Sequence, residues 1–384
     1  MSRPLLPAVF LVFAGTIQAG EKQVSVVKTP GHGIQPQAVI DAKGTLVHLL
    51  YFQGEAKAGN LIYVRREAGK FSHPLRVNSQ EGSAIGIGTI RGGHFALGRN
   101  GRVHVAWNGS NQAEPKNPIS GTPMMYARLN DAGTEFEPQR NLMTQTSILD
   151  GGGSLAADDK GNVYVAWHAL GKGSAKGEDN RKMWVSVSRD DGKTFAPEVS
   201  VWDESTGACG CCGIRGFADH NGNAFFLYRG AHEKINRGMY VVRSADQGKS
   251  FAGVRLDNWK IDHCPMSSEA FAEGPTGVYA AWDTAGKIFF TRIQPSKLTI
   301  DTPKAAPGQG DSCKHPALAV NKTGDLIVVW TEGTGWNRGG TLAWQVYDKS
   351  GTATSEAGRR PGAIPVWSLP TVVAEPDGRF TIFH

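Results

Sequence analysis

The sequence has no run of Lys or Arg that would follow a phosphate backbone, and its 384 residues carry a formal net charge of only +6. Nucleic acid is therefore not expected as a partner. The chain also has no apolar run long enough to span a bilayer comfortably, so no membrane span is expected. Cysteine is scarce, with 5 residues, whereas glycine is frequent, with 49. A glycine-rich chain with plentiful aromatic residues favours many short strands joined by turns.

The first residues are typical of an export segment. Arg3 supplies a positive charge, an apolar run extends from Leu5 to about Ala14, and the small residue Ala19 follows. This pattern predicts a cleaved signal peptide over residues 1–19 and a single domain over residues 20–384. We expect a periplasmic or secreted protein, in which disulfides can form. No cysteine lies at the cleavage site, so no lipid anchor is expected there.

One sequence unit recurs along the rest of the chain. A short strand of small and apolar residues precedes a glycine turn, and a strongly apolar strand that ends in an aromatic residue follows. The turn glycines are Gly44, Gly101, Gly161, Gly222, Gly277, Gly324 and Gly378. Repeats of this size that are rich in β-structure indicate the blades of a β-propeller.

The strands that follow each unit set the expected number of blades. After Trp167 and after Tyr228, two further strands separated by a glycine turn complete a unit of four. The seventh unit ends at His384 after two strands, and the segment from Gln23 to Lys28 is predicted to complete it. The fold class is therefore all-β, a single propeller of four-stranded blades closed by the N- and C-terminal strands. Seven blades are favoured, and six blades with an extra hairpin are the alternative.

Two turns carry the pattern S-x-D-x-G-x-[ST]-aromatic, at residues 188–195 and 244–251, and a degenerate copy keeps Asp131, Gly133 and Phe136. These turns resemble the Asp-box of the sialidase-like (neuraminidase superfamily) BNR-repeat propellers, and the repeat extends the resemblance over essentially the whole mature chain. The resemblance implies hairpin turns on the face away from any active site. It is a statement about fold more than about activity.

All five cysteines fall in loops that lead into the first strand of a blade, here called leading loops. We expect the leading loops to line one mouth of the channel, so these cysteines and the neighbouring histidines form a candidate Cys/His rim site. Its members are Cys209, Cys211 and Cys212 (blade 4), His263 and Cys264 (blade 5), and Cys313 and His315 (blade 6).

Two interpretations of this rim remain open. Disulfides among the cysteines would pin adjacent loops together, and an odd number leaves at least one thiol over. Alternatively, thiolates and imidazoles would bind a soft metal, for which copper or zinc suits the ligand types. The paired C-x-x-C spacing that is typical of zinc sites is absent.

The resemblance to sialidases implies further candidates at the same mouth. Sialidases bind the substrate carboxylate with an arginine cluster, and use a tyrosine nucleophile and an acid/base aspartate. Carrying these roles over as residue types, the candidate catalytic residues are Arg91, Arg215, Arg229, Asp283 and Glu269, with Asp150 as a further carboxylate. The Arg-Ile-Pro motif of sialidases is absent, and no tyrosine stands in the nucleophile's position.

The sequence thus predicts an exported sialidase-like propeller, expected as a monomer, that binds a glycan or small ligand at its mouth and has a rim suited to a soft metal. One alternative is a sialidase-type glycoside hydrolase acting on an acidic sugar. The other is a non-catalytic protein-binding propeller whose loops are clasped by disulfides.

Overall fold

The computed structural model describes residues 23–202, 204–309 and 312–384. The predicted signal peptide over residues 1–19 lies outside these residues. Within them the chain forms seven β-sheets, and its only helical segments are short 3-10 turns at Pro30–His32, Arg99–Gly101 and Glu178–Asn180.

Each sheet is one blade, and blades are numbered along the chain. The described part begins with β1 (Val24–Val27), which belongs to the last blade. Blade 1 contains β2 (Ile34–Ile40), β3 (Val47–Glu55), β4 (Ala58–Glu67), β5 (Lys70–Phe71) and β6 (Leu75–Arg76). Blade 2 contains β7 (His94–Leu97), β8 (Val103–Asn108), β9 (Met124–Arg128) and β10 (Arg140–Asn141). Blade 3 contains β11 (Thr146–Ser147), β12 (Gly153–Ala157), β13 (Val163–Gly171), β14 (Lys182–Ser188) and β15 (Val199–Ser200).

The second half of the ring repeats this plan. Blade 4 contains β16 (Ile214–Ala218), β17 (Ala224–Arg229), β18 (Met239–Ser244) and β19 (Ala252–Arg255). Blade 5 contains β20 (Glu269–Gly274), β21 (Gly277–Thr284), β22 (Lys287–Gln294), β23 (Thr299–Ile300) and β24 (Lys304–Ala305). Blade 6 contains β25 (Cys313–Val320), β26 (Leu326–Glu332), β27 (Gly340–Tyr347) and β28 (Ala353–Ile364). Blade 7 contains β29 (Thr371–Ala374) and β30 (Phe380–Phe383), completed by β1.

The innermost strands of the seven blades form a closed ring around a central channel. Each contacts its neighbours in turn, in the order β2, β7, β12, β16, β20, β25, β29 and back to β2. The prediction of a seven-bladed propeller is confirmed, and the six-bladed alternative is wrong.

The two ends of the chain close the ring as predicted. Strand β1 pairs with β30 in parallel, with Val24 opposite Phe380 and Val27 opposite Phe383. The backbone N–H of Thr29 then donates to the carbonyl of His384 at 2.8 Å. The N-terminal strand thus covers an edge of β30 that would otherwise expose unpaired backbone groups.

The core lies between neighbouring blades. The second strands are mainly apolar, and all six residues of β8 and of β17 are buried. Such runs suit strands that are covered on both faces. Trp107, Trp167 and Trp282 close three of these strands and are fully buried. The recurring tryptophans therefore pack the blades together, and do not face the solvent as a sugar platform.

The two patterned turns are fastened by their aspartates. Asp246 accepts the backbone N–H groups of Lys249 (3.1 Å) and Ser250 (2.9 Å) and the hydroxyls of Ser244 (2.8 Å) and Ser250 (2.6 Å). Slight burial opposes ionisation, but these hydrogen bonds dominate and lower the pKa of Asp246 to about 2. Asp190 has equivalent contacts and also has a pKa lowered to about 2.

The strand register puts these turns on the opposite face from the leading loops. In blade 4, Ala218 pairs with Ala224, and Ala224 pairs with Ser244, so the patterned turn lies at that end of the blade. Ile214 and Arg229 lie at the other end. The cysteine-bearing loops therefore open on the face away from the patterned turns.

Candidate functional site

Four polar side chains line the channel near the leading loops, one from each of blades 1 to 4. They are called the polar ring here, and they are Gln37, His94, Ser154 and Arg215. Each occupies the same register position, opposite the residue that precedes the aromatic end of the second strand: Leu50, Ala106, Ala166 and Leu227 respectively. The equivalent positions in blades 5 to 7 are Ala270, Ala317 and Val372. One side of the channel is therefore polar and the other apolar.

Arg215 is the centre of the polar ring. One of its N–H groups, on Nη1, donates to the Gln37 amide oxygen and to His94 Nδ1, the latter at 3.3 Å. Ser154 Oγ lies 3.1 Å from the same imidazole nitrogen and accepts the backbone N–H of Gly216 at 2.9 Å. Within the described residues, Arg215 makes no ion pair closer than 4.0 Å, and its Nη2 and Nε groups donate no hydrogen bond.

The charges in the ring follow from burial. Burial lowers the pKa of Arg215 to about 10, an effect that nearby Glu269 opposes, so Arg215 remains a cation at neutral pH. Burial and the charge of Arg215 together lower the pKa of His94 to about 3. His94 is therefore neutral, and Arg215 supplies the positive charge of this ring.

Glu269, the first residue of β20, lines the same channel. It is 6% exposed, and neither carboxyl oxygen has a hydrogen-bond partner among the described residues. Burial raises the pKa of Glu269 well above the usual carboxyl range, with a further rise from Cys212 and an opposing effect from Arg229. This rise favours the protonated carboxyl, which is the form that can donate a hydrogen bond.

These groups line a cavity of about 280 Å³ at the centre of the propeller. Its lining combines the polar Gln37, His94, Arg215 and Glu269 with the small or apolar residues of blades 5 to 7. Its volume is near the lower end of the range for ligand pockets, roughly 300–1,000 Å³. The cavity therefore suits a ligand about the size of one sugar ring.

Two tryptophans lie beside the mouth. Trp336, in the loop between β26 and β27, is 44% exposed, and its ring meets that of Trp367 edge-on at 6.3 Å. Trp367 belongs to the leading loop of blade 7, and its carbonyl accepts the Gln35 amide at 2.8 Å. These two rings form a partly exposed aromatic surface on the face where the cavity opens.

The leading loops of blades 3, 4 and 5 are bonded to one another. The Gly152 N–H donates to the Cys212 carbonyl at 3.1 Å, and the Gly213 N–H donates to the Ser267 carbonyl at 2.8 Å. At Gly151, whose φ is +60°, a side chain would meet the Gly210 carbonyl oxygen at 2.3 Å. The glycine run that precedes β12 thus allows the close approach of these loops.

Four of the five cysteines meet at this rim, whereas the leading-loop argument placed all five there. Cys211 and Cys264 form a disulfide between blades 4 and 5. Cys209 Sγ lies 3.4 Å from Cys211 Sγ and 3.1 Å from Cys212 Sγ. Cys209 and Cys212 are fully buried, Cys211 is partly buried, and Cys264 is exposed.

The two buried thiols, Cys209 and Cys212, are hydrogen-bonded to each other, and this contact shifts their pKa values in opposite directions. A hydrogen bond from Cys212 and the nearby Arg237 lower the pKa of Cys209, against the effect of burial and of Glu178. Burial raises the pKa of Cys212, and the neighbouring Cys209 adds to that rise. Cys209 is therefore the more readily ionised of the pair.

The remaining predicted rim residues are not part of the group of ligand atoms within 4.8 Å of one another, which among the described residues contains Cys209, Cys211 and Cys212. His263 is exposed, and its Nδ1 lies 3.3 Å from Asp262 Oδ1. His315 is buried, and its Nδ1 lies 3.0 Å from Ser268 Oγ. Cys313 packs in the core between blades 5 and 6, with Trp330 and Phe290.

The predicted catalytic candidates separate into three settings. Arg215 and Glu269 line the cavity. Arg91 lies at the rim, where its Nη2 is 2.8 Å from Asp150 Oδ1.

Arg229 and Asp283 are buried between blades 4 and 5 and do not line the cavity. Arg229 Nε donates to Ser267 Oγ at 2.7 Å and Nη1 donates to the Arg237 carbonyl at 2.6 Å. A further N–H reaches the Asp283 carbonyl. Burial raises the pKa of Asp283 to about 6, against the effect of Arg229.

Several site residues were not found by sequence reasoning. Gln37 and Ser154 belong to the polar ring but carry no charge or conspicuous chemistry. Aligning the blades on the residue before each closing aromatic would have found them. Glu178, whose carboxylate accepts the Gly210 N–H (2.8 Å) and pairs with Arg237 (2.7 Å), lies in an insertion outside the repeat, and no sequence signal points to it.

No protein-family model matches the chain, and no curated protein matches it in sequence. Solved structures do resemble it. The NanB sialidase from Streptococcus pneumoniae superposes with a TM-score of 0.54 at 9% identity, over 88% of this chain and 80% of that one. An α-L-arabinanase from Penicillium chrysogenum superposes with a TM-score of 0.53 at 16% identity, over 85% of this chain and 96% of that one. A protein of unknown function from Dyadobacter fermentans superposes with a TM-score of 0.52 at 13% identity, over 88% of this chain and 96% of that one.

The fold is that of a sialidase-like β-propeller. At these identities the likeness concerns architecture, and the chemistry of the site rests on this chain's own residues. In the described part of this sialidase-like propeller, no helix is long and apolar enough to cross a membrane. The catalytic pattern of sialidases is not reproduced in the cavity, whose lining includes Arg215 as its one arginine and no tyrosine among the described residues.

Proposed function

We propose that this protein binds a small acidic sugar, or a closely similar carboxylate, in the central cavity, with the carboxylate on Arg215. The observation that carries the proposal is the uncompensated charge of that guanidinium. Arg215 is partly buried, and a charge that is partly withdrawn from water is costly unless an opposite charge and hydrogen bonds accompany it. A bound carboxylate would supply both, because the planar fork of arginine matches a carboxylate with two parallel hydrogen bonds.

The rest of the cavity supports a sugar as the ligand. Burial favours the protonated form of Glu269, which offers a hydrogen-bond donor, and Gln37 offers an amide. The small side chains of Ala270 and Ala317 leave an apolar side for a ring face. Trp336 adds an exposed aromatic surface beside the mouth. Fold relatives that act on sialosides and arabinans make a carbohydrate a reasonable ligand class.

Binding is favoured over hydrolysis by the distribution of acids. Glycoside hydrolysis of the common kind needs two carboxyl groups flanking the bond that breaks. The cavity lining includes two acids, Glu269 and Glu273. Glu273 lies toward the opposite face and is bonded to His220 there. Of the two acids that line the cavity, only Glu269 therefore lies near the mouth.

The test is a binding panel measured by calorimetry, with sialic acid and hexuronic acids compared with their methyl esters. Wild type is expected to bind at least one acid more tightly than its ester. Arg215→Met should weaken that acid about 30- to 150-fold, because a charged hydrogen-bonded contact contributes roughly 2–3 kcal/mol. Arg91→Met is the matched control and should bind as wild type, because Arg91 already pairs with Asp150.

Two results would contradict the proposal. One is the absence of any preference for acids over esters across the panel. The other is turnover of a fluorogenic sialoside that is lost in Glu269→Gln, which would support the hydrolase alternative instead.

A further inference from the structure

Four sulfur atoms from two blades occupy one small volume at the rim. Cys209 Sγ lies 3.1 Å from Cys212 Sγ and 3.4 Å from Cys211 Sγ, and Cys264 is bonded to Cys211. In a tetrahedral thiolate site with metal–sulfur distances of about 2.3 Å, the sulfurs lie about 3.8 Å apart. The sulfurs of Cys209, Cys211 and Cys212 are near that spacing, whereas Cys264 Sγ must move away from its bond with Cys211 to become the fourth ligand.

The backbone around the sulfurs is fixed by contacts that do not involve them. The Cys209 N–H donates to the Arg229 carbonyl at 2.9 Å, and the Gly210 N–H donates to the Glu178 carboxylate at 2.8 Å. The hydrogen bond between Gly213 and Ser267 joins this loop to the next blade. The sulfurs of Cys209, Cys211 and Cys212 would therefore stay close together if the disulfide were opened, which is the condition for a preorganised ligand set. The backbone next to Cys264 is held separately, because Lys314 Nζ donates to the Pro265 carbonyl at 2.6 Å.

A buried cation next to the cluster gives an independent indication. Arg237 is 5% exposed, and one end pairs with Glu178 at 2.7 Å. Its Nε and Nη1 groups have no hydrogen-bond partner among the described residues, and its charge acts on both Cys209 and Cys212. Buried polar groups without partners are uncommon. These N–H groups suit an environment richer in negative charge than two neutral thiols provide.

We propose that Cys209, Cys211, Cys212 and Cys264 form a tetrathiolate site for one soft cation, Zn(II) or Cu(I), when the Cys211–Cys264 disulfide is reduced. Soft thiolate sulfur is the ligand type that selects these two cations, and four such ligands in tetrahedral geometry suit zinc. The excess negative charge of four thiolates would be balanced in part by Arg229 and Arg237. This site is separate from the Arg215 cavity, and its test does not depend on a sugar ligand.

The redox step is a simple two-electron reduction. A thiol reductant, supplied by a small dithiol or a dithiol protein, gives two electrons and two protons to the Cys211–Cys264 bond and itself becomes a disulfide. The S–S bond breaks and two thiols form. Binding of the cation then displaces the thiol protons to solvent. A disulfide oxidant that accepts two electrons, and is itself reduced to two thiols, would re-form the Cys211–Cys264 bond, remove two ligands and release the cation.

The two rim histidines are not part of this site. His263 is exposed beside Asp262, and His315 is bonded to Ser268. Neither imidazole belongs to the group of close ligand atoms that Cys209, Cys211 and Cys212 form within the described residues. The proposal therefore narrows the mixed Cys/His rim expected from the sequence to a site of sulfur ligands alone.

The experiment compares the oxidised and the reduced full-length protein. The protein is reduced with a phosphine, which becomes its oxide by taking oxygen from water, and is freed of reductant without air. Zn(II) and Cu(I) are then titrated separately against a competing chelator. The reduced protein is expected to hold about one cation per chain, and the oxidised protein at least roughly 100-fold more weakly, because two ligands are missing.

Variants assign the ligands. Cys209→Ser and Cys212→Ser should each weaken binding by more than roughly 100-fold, since loss of even an outer partner of a metal ligand typically costs 10- to 100-fold. Cys313→Ala is the matched control, since Cys313 packs elsewhere, and it should bind as wild type. Alkylation mapping of wild type gives a readout that does not need the variants to fold. The bound cation should protect the four named cysteines.

Binding of either cation at one site with this protection pattern supports the proposal, and the two titrations tell zinc from copper. The proposal is overturned if the reduced protein binds neither cation more tightly than the oxidised form. It is also overturned if protection omits Cys209 or Cys212.

Discussion

Replacing Arg229 with methionine separates a structural arginine from a ligand-binding one. The Arg229 side chain is fully buried, donates to Ser267 Oγ and to the carbonyls of Arg237 and Asp283, and lies over the Trp259 ring at 4.9 Å. It joins the end of β17 to the leading loop of blade 5. The resemblance to sialidases makes it a candidate for substrate binding, whereas its contacts assign it to the interface between blades.

The magnitude follows from the groups left without donors. Methionine fills much of the same space, so the cavity is small. Two buried carbonyls and one hydroxyl lose a partner, and each unsatisfied group costs about 1–3 kcal/mol. Part of this loss is recovered because a charge no longer has to be buried. We expect the free energy of unfolding to fall by about 2–4 kcal/mol, and the melting temperature by about 2–5 °C for a chain of this length.

The assay pairs urea denaturation with ligand calorimetry. Arg229→Met should show the lower denaturation midpoint and an affinity within about threefold of wild type, since it does not line the cavity. Arg215→Met should show the opposite pattern, with weakened binding and stability at least equal to that of wild type. An Arg229→Met protein that is as stable as wild type but has lost ligand affinity would refute this assignment.

Three further predictions concern other parts of the molecule. Burial raises the pKa of Glu269, so wild type should lose stability relative to Glu269→Gln as pH rises from the unfolded carboxyl pKa of about 4 toward the raised folded pKa. A difference in urea midpoint between the two proteins that does not change with pH would contradict this. Asp246→Ala should lower the free energy of unfolding by about 1 kcal/mol at neutral pH. The loss should shrink as pH falls from about 4 toward about 2 in urea denaturation, because protonation of Asp246 with its lowered pKa removes the same stabilisation from wild type. A chain that begins at residue 29 lacks β1 and exposes the edge of β30, so it should unfold earlier and associate in light scattering, and a stable, monodisperse truncated protein would disprove the closure described for blade 7.

The fold could be predicted because the repeat consists of residues with strong local structural preferences, such as glycine in turns and aromatic residues at strand ends. Each turn glycine and each closing aromatic marks the same place in a blade, so the count of seven follows from positions such as Gly161 and Trp167. The closing role of residues 24–27 followed from counting, since the seventh unit has too few strands and the ring must hide its edges. No long-range contact had to be guessed.

The candidate site was predictable only where the blade register alone decided the placement. The leading-loop argument brought Cys209, Cys211, Cys212 and Cys264 to one rim, because equivalent loops of adjacent blades must lie side by side. The packing of Cys313 in the core was not foreseen, since a residue at the boundary of a loop and a strand can face either way.

The arginines show the same limit. Arg215 lies in β16 and Arg229 lies in β17, the adjacent strand of the same blade. The strand register places both residues near the mouth. Their side chains diverge because Arg229 finds acceptors in Ser267 and Asp283 of the next blade, whereas Arg215 finds Gln37 across the channel. The hydrogen-bond acceptors that each arginine contacts depend on the twist of the sheets and on the packing of the loops. A local sequence pattern predicts neither of these.

The central claim is that Arg215 binds the carboxylate of an acidic ligand, and a double-mutant cycle tests it most directly. Four affinities are measured by calorimetry: wild type and Arg215→Met, each with the tightest acid from the panel and with its methyl ester. If the guanidinium contacts the carboxylate, the two changes are coupled by about 2 kcal/mol, so the ester loses nothing further in the variant. Equal effects of Arg215→Met on acid and ester, with no coupling, would contradict the account.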